Sequence, residues 1–335
     1  MFELLLTEPG RLELHELLQD DRPLQPHEVR IRLLYGGICG SDLKVYQGKL
    51  RHAKYPVRPG HELLGRVIAT GEAVQLPIGA RVVVNPNTYC GLCAQCQRGR
   101  TNLCKQKESL GINIPGGFVE EFVVPAKYVV GVPHEVPDRL AVLTEPLAVA
   151  VHALKRAPVE PGGRMLILGC GTEGMLCALL ARDNGCDVAV ADVLPERLRW
   201  ARSIIPGIEA RSPEDYPDDS FSVVVEAAGS PSAVEQALRL IEPGGVVVLV
   251  GMAQEAVFPV QRFVRKEVSL HGSIIYVRQD FDDALQRLTD PQLQRMLQNI
   301  IGTDVWFEEF HSAYEYTLSG QPGKALLRWQ GHPAP

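Results

Sequence analysis

Two rhythms of apolar residues divide the chain. Over residues 1–145 the apolar positions come in short runs, Val29–Leu34, Leu63–Ala69, Arg81–Val84 and Gly117–Val124, broken by Gly and Pro. Runs of this length bounded by turn formers predict a β-rich region. Near residue 160 the rhythm changes. RMLILG (164–169) reads as a buried strand and is followed by a helical pattern to about residue 184. DVAVAD (187–192), a weak strand near Ile208–Arg211, FSVVVEAAG (221–229), GGVVVLVG (244–251) and VSLHGSI (268–274) continue the series, with helical stretches between them. Ser230-Pro231 opens one of these helices, Ser as N-cap and Pro at the first helical position. Alternation of this kind predicts a parallel, doubly wound sheet of six strands. Residues 276–335 return to mixed character and are too few for a separate domain, so they are expected to pack back on the first region.

The bulk numbers agree with a two-domain α/β protein. The chain has 335 residues, 45% hydrophobic and 22% charged, with a net charge of -6 and a pI near 5.9. That length suits two domains and a core that needs no disulfides. A mildly acidic surface argues against nucleic acid or an anionic membrane as partner. The N-terminus lacks a basic segment, a full apolar stretch and a cleavage site, and no apolar run approaches the ~20 residues that span a bilayer. A reducing cytoplasm is the expected location, and clustered cysteines there favour metal over disulfide.

Gly169-Cys170-Gly171-Thr172-Glu173-Gly174 stands between a strand and a helix, and Asp192 ends the next strand. Glycines alone would indicate only a tight turn. In this setting they form a dinucleotide loop, with the pyrophosphate at the helix N-terminus. Asp192 can accept from the ribose hydroxyls and repels a 2′-phosphate, which favours NAD over NADP. Arg197 follows five residues on, and Val250, Gly251 and Ile274 at the later strand ends complete the candidate cofactor residues. Glu173 is unwelcome beside a pyrophosphate, so its side chain is expected to point outward.

Eight cysteines are present, and Cys90, Cys93, Cys96 and Cys104 are separated by gaps of two, two and seven residues. An iron–sulfur run wants a last gap of three and a following Pro. A nucleic-acid zinc ribbon wants two distant pairs in a basic setting. A closed structural zinc site with four thiolates fits best. A second set is dispersed: Cys39-Gly40-Ser41-Asp42, Gly60-His61-Glu62 and Thr144-Glu145-Pro146. Each piece alone has an ordinary structural explanation. Together they offer sulfur, nitrogen and oxygen ligands suited to an open catalytic zinc. Cys170, Cys177 and Cys186 are read as small buried hydrophobes.

The set CGSD, GHE, the four spaced cysteines, EPLAVAVHA, the glycine loop and Asp192 resembles the zinc-containing medium-chain dehydrogenase/reductase family, in its polyol (sorbitol-type) branch. The match runs over nearly the whole chain in the family's order. The resemblance implies a GroES-like catalytic domain (1–146 and 276–335), an inserted Rossmann domain (147–275) and an active site between them. It implies a catalytic zinc on Cys39 and His61, with Glu62 and Glu145 supplying carboxylates, one direct and one through water or by exchange. Asp42 would orient the zinc histidine, and Ser41 would relay the proton of a small-molecule alcohol substrate to solvent. Cys90, Cys93, Cys96 and Cys104 would hold the structural zinc. Homodimers or homotetramers are implied as well.

Two positions depart from the sorbitol-type pattern. Where many relatives end the relay with a histidine, this chain has Lys44, a strongly basic amine in place of a near-neutral imidazole. Where the sorbitol enzymes carry Arg-Tyr, it reads Ile275-Tyr276. Loss of that guanidinium points away from sorbitol and toward a cyclic polyol or aminocyclitol. Amino alcohols and simple secondary alcohols are alternatives. Asn85, Asn87 and Tyr46 are candidates for a polar pocket or for ordinary loop structure. Two rivals remain. A zinc-free NADPH-dependent reductase would lack the ligand cysteines, and a non-catalytic redox regulator would not need Ser41.

Overall fold

A computed structural model describes residues 1–18, 20–50, 52–158 and 163–329. From the N-terminus, a hairpin of β1 (Phe2–Glu8) and β2 (Arg11–Glu16) leads to β3 (Glu28–Ile38), α1 (Gly40–Tyr46), β4 (Glu62–Thr70), β5 (Arg81–Val84), α2 (Ala94–Gln97), β6 (Glu121–Pro125), β7 (Val129–Gly131) and α3 (Asp138–Ala141). Then come α4 (Thr144–Lys155), β8 (Arg164–Leu168), α5 (Thr172–Asp183), β9 (Asp187–Ala191), α6 (Pro195–Ile204), β10 (Glu209–Arg211), β11 (Phe221–Glu226), α7 (Pro231–Leu240), β12 (Ile241–Leu249), α8 (Val260–Lys266) and β13 (Ser269–Gly272). The chain ends with α9 (Arg278–Arg287), α10 (Pro291–Leu297), β14 (Ile301–Trp306), α11 (Phe310–Leu318) and β15 (Lys324–Arg328).

Two compact units result. The first holds Met1–Glu145, Val277–Asp290 and the chain from Ile301 onward; the second holds Pro146–Tyr276 and Pro291–Ile300. The sheet of the first unit runs β14-β15-β3-β4-β5-β7. The long β3 is its axis. Along one edge, Glu28–Arg32 pairs with β6 and Tyr35–Ile38 with β15; β4 takes the other edge. Val29, Ile31 and Leu33 alternate along β3 and are fully buried, which is why this segment is a strand with one face in the core. Each such side chain contributes roughly 1.5–3 kcal/mol of burial. The alternation then gives way to Gly36 and Gly37, because those places are taken. A Cβ at Gly36 would lie 2.4 Å from the Phe118 ring, and one at Gly37 would lie 2.1 Å from a Glu62 carboxylate oxygen.

The sheet of the second unit is parallel, in the order β10-β9-β8-β11-β12-β13. Both faces of its central strands are covered, so Met165–Leu168 and Val223–Val225 read as unbroken apolar runs. Ser230 caps α7, accepting from Ala233 N at 3.2 Å, with Pro231 as the first helical residue.

Three expectations need correction. Of the run Gly117–Val124 only the stretch from Glu121 is strand, because Gly117 and Phe118 give their N–H groups to Gly60 and Pro59 instead of a ladder. Residues 291–300, expected with the first region, join the second unit, where Leu293, Leu297 and Ile300 are fully buried. The side chain of Glu173 does not point outward: the residue is half-buried and one carboxylate oxygen is shielded from solvent, in the first turn of α5 where the helix dipole favours an acid.

Candidate active site and metal centres

Cys39 leaves β3 in extended conformation and caps α1. One turn on, Asp42 is buried and turns back, its Oδ2 accepting from Cys39 N at 2.8 Å. The other oxygen, Oδ1, lies 3.3 Å from His61 Nδ1. His61 is held where β4 begins, behind Gly60, where a Cβ would strike the Phe118 ring at 2.1 Å. With Nδ1 turned to Asp42, Nε2 is left for other partners, and Ser41 Oγ stands 3.4 Å from it. Burial opposes a charged ring, yet Asp42 and then Cys39 hold the His61 pKa well above the ordinary range. The pocket therefore favours positive charge.

Ligand atoms of Cys39, His61 and Glu62 all lie within 4.8 Å of one another. Glu62 is fully buried, and its Oε2 has no hydrogen-bond partner among the described residues. Burying a carboxylate oxygen without a partner is unfavourable, and a metal ion at this corner would supply one. With one sulfur, one nitrogen and one oxygen, the donor set suits zinc with a position to spare. Glu145 is buried in the first turn of α4 and stands outside this three-ligand cluster.

The four-cysteine lobe is tighter. Sγ–Sγ distances are 3.6 Å for Cys93–Cys96 and Cys104–Cys90, and 4.0 Å for Cys90–Cys96. Four sulfurs at a Zn–S distance of ~2.3 Å would stand about 3.8 Å apart, so the thiols occupy the corners that a zinc ion requires. Main-chain N–H groups also point at the sulfurs, from Cys93 to Cys90 and from Cys90 and Gln106 to Cys104, each at 3.4 Å. The N–H of Cys96 is the main cause that brings the Cys93 thiol down to about 6.

In the second unit the glycine loop has a distinct reason for each glycine. Gly169 has φ +99, and a Cβ there would lie 2.7 Å from Ala228 N. A Cβ at Gly174 would lie 1.8 Å from Gly169 O, so helix α5 can approach the strand only without one. At Gly171, the residue before α5, an added Cβ would meet no described atom within 4 Å, and the space before the helix N-terminus stays open. Thr172 begins that helix. Asp192 is buried and braces the loop, accepting from Cys170 N at 2.7 Å and Leu194 N at 2.9 Å, with Arg197 3.8 Å away. The strand ends, the open space and the helix terminus together suit a dinucleotide.

The family model of the alcohol dehydrogenase GroES-like domain matches residues 25–134, and that of the zinc-binding dehydrogenases matches residues 174–290. The chain is 31% identical to a zinc-type alcohol dehydrogenase-like protein of Haemophilus influenzae, over 96% of each chain. The chain belongs to the zinc-binding alcohol dehydrogenases. It is 30% identical to a sorbitol dehydrogenase of Halalkalibacterium halodurans, over 90% of this chain and 91% of that one. An alcohol dehydrogenase of Escherichia coli CFT073, solved with NADH, superimposes with a TM-score of 0.88 at 28% identity, over 98% of this chain and 99% of the other. The dehydrogenase is thus an enzyme of the polyol-type branch, with zinc and a nicotinamide dinucleotide as its cofactors.

One residue of the catalytic cluster escapes sequence reasoning. Lys324 opens β15 and places Nζ 2.6 Å from Glu62 Oε1, with both side chains buried. Its only signal is a lysine at the head of an apolar strand, KALLR, where a buried ammonium needs an anion. Other candidates have less to do with the cluster. Lys44 lies half-buried on α1, one turn after Ser41. Asn85 accepts from Asn87 N at 3.1 Å, and Asn87 accepts from Ser109 Oγ at 2.8 Å, so both knit the loop before the cysteine lobe. Tyr46 stacks at an angle on Tyr314, with centroids 5.5 Å apart. Ile274 is exposed, Ile275 has φ +42, rare for a β-branched residue, and Tyr276 is buried. Val250 and Gly251 follow β12. Cys170 and Cys177 are fully buried and burial pushes both thiols up, whereas Cys186 is only half-buried.

Proposed function

We propose that this dehydrogenase oxidises a secondary alcohol of a polyol, cyclitol or aminocyclitol to the ketone, with NAD as acceptor. The observation that carries the reading is the meeting of Ser41, His61, Cys39 and Glu62 at one point: a proton-accepting hydroxyl stands 3.4 Å from the histidine of a zinc-type ligand cluster. Cys39 and His61 would hold the metal, with Glu62 or Glu145 as the carboxylate. Bound zinc acidifies a substrate hydroxyl and bound nicotinamide accepts hydride. The chain's own part is positional and protonic. Asp42 fixes the tautomer and orientation of His61 through Nδ1. Ser41 takes the proton of the alcohol and passes it on, either toward Lys44 or through the cofactor ribose and water. The Asp192 carboxylate supports NAD over NADP, because a 2′-phosphate would meet a buried negative charge. Ile275 supports a substrate other than sorbitol, since no guanidinium stands at that position. We also read the enzyme as a homodimer or homotetramer, as its resemblance suggests.

The test is an absorbance screen for NAD reduction by the zinc-loaded enzyme over polyols, cyclitols, aminocyclitols, amino alcohols and simple secondary alcohols. Turnover is expected within the first three classes and with NAD. Turnover confined to the last two, or with NADP alone, would overturn the substrate or the cofactor reading respectively.

A further inference from the structure

Among the described strands of the second unit's parallel sheet, one acid is fully buried. Glu226 ends β11 and is fully buried. Its Oε1 accepts from Ala228 N at 2.9 Å and Gly229 N at 2.6 Å, which gathers the loop after β11 around it. Its main-chain carbonyl accepts from both Val250 N and Gly251 N at 2.9 Å, which ties in the end of β12. The remaining oxygen, Oε2, is buried with no hydrogen-bond partner among the described residues. It occupies the place of a missing side chain: a Cβ at Gly251 would lie 2.5 Å from it and 2.3 Å from Gly229 N. Gly229 itself sits at φ +68. Because Gly169 abuts Ala228, the glycine loop, the loop after β11 and the end of β12 meet backbone to backbone, and one residue anchors two of the three.

The buried carboxylate carries a desolvation cost alongside the N–H groups it satisfies. Burial raises the Glu226 pKa against the pull of the Gly229 and Ala228 N–H groups, and an apolar residue at a strand end would avoid the desolvation altogether. The places it organises are the carboxyl ends of parallel strands, where α/β sheets take up their ligands. We propose that Glu226 is a positioning residue for the dinucleotide: its carboxylate holds the main chain of residues 228–229 beside residues 250–251, which its own main-chain carbonyl ties down, and so sets the floor on which the cofactor lies. The proposal rests on the reading that these strand ends receive the cofactor.

The experiment compares Glu226→Ala, Glu226→Gln and Asp192→Ala in the zinc-loaded enzyme, measuring NADH affinity by nucleotide fluorescence and the unfolding midpoint without nucleotide. Loss of the acceptor leaves two N–H groups unpaired, so Glu226→Ala should weaken NADH by about tenfold or more. Glu226→Gln keeps a carbonyl for both N–H groups and should regain most of the affinity. Unchanged NADH affinity in Glu226→Ala overturns the proposal. So does a parallel fall of affinity and unfolding midpoint in both Glu226 variants, which would make the carboxylate merely structural. If the alanine variant does not fold, Glu226→Asp takes its place: weaker NADH at an intact unfolding midpoint supports the role, and unchanged affinity overturns it. Asp192→Ala separates the two readings. Affinity lost there and kept in the Glu226 variants overturns this proposal alone, whereas affinity kept in all of them overturns the strand-end reading with it.

Discussion

At the scale of single residues, the proposed chemistry turns on Ser41 and on the charge beneath Glu62. Ser41→Ala should lower kcat by ~10²–10⁴, the range typical of a positioned proton-transfer group, while zinc content stays at the wild-type value by elemental analysis. Lys44→Ala discriminates the two exits for the proton. Slower turnover with a shifted pH profile, partly restored by an amine buffer, places Lys44 in the relay; a silent variant routes the proton through ribose and water. Lys324→Met should destabilise the fold by about 3–5 kcal/mol, because it strands a buried carboxylate, and Lys324→Arg should recover most of that in denaturant unfolding. The clustering of Cys39, His61 and Glu62 was legible because cysteine, histidine and acid next to glycine have few other uses in concert. Lys324 was not, since its partner is 262 residues away and nothing local marks the pair.

At the scale of elements, the cysteine lobe and the glycine loop behave differently. Between Cys90 and Cys104 the described regular structure is α2 and a single 3-10 turn, and Cys90 and Cys93 are only half-buried. A lobe of this kind depends on its metal for order. The purified enzyme should therefore carry two zinc ions per chain. Chelator should remove the catalytic ion first, with activity lost and the circular dichroism spectrum kept. Cys93→Ser should lose one zinc and lower the thermal midpoint, and a variant with full metal content and unchanged stability would contradict the structural site. The β8–α5 turn was readable because its glycines, strand and helix are contiguous, and Gly169 and Gly174 prove to have steric causes of their own. The run at 117–124 misled because alternation of apolar residues does not show that Gly117 and Phe118 spend their N–H groups on Pro59 and Gly60.

At the scale of the whole molecule, the alternation of strands and helices foretold a six-stranded parallel sheet, since strand order follows from short right-handed crossovers. The placement of residues 291–300 was not foretold: an amphipathic helix announces that it packs, not which unit receives it. The described residues contain no helix long and apolar enough to cross a membrane. The path of the chain also has a bearing on biosynthesis. Apart from residues 291–300, the second unit is drawn from one uninterrupted stretch, whereas β3 of the first unit finds its neighbour β15 only after the whole second unit has been translated. Until Lys324 leaves the ribosome, Glu62 has no counter-ion and the strand carrying Cys39 has an open edge. A nascent chain can therefore fold its nucleotide-binding half early, while Glu62 and Cys39 of the candidate metal site wait for β15, so that assembly of that site follows synthesis of the second unit.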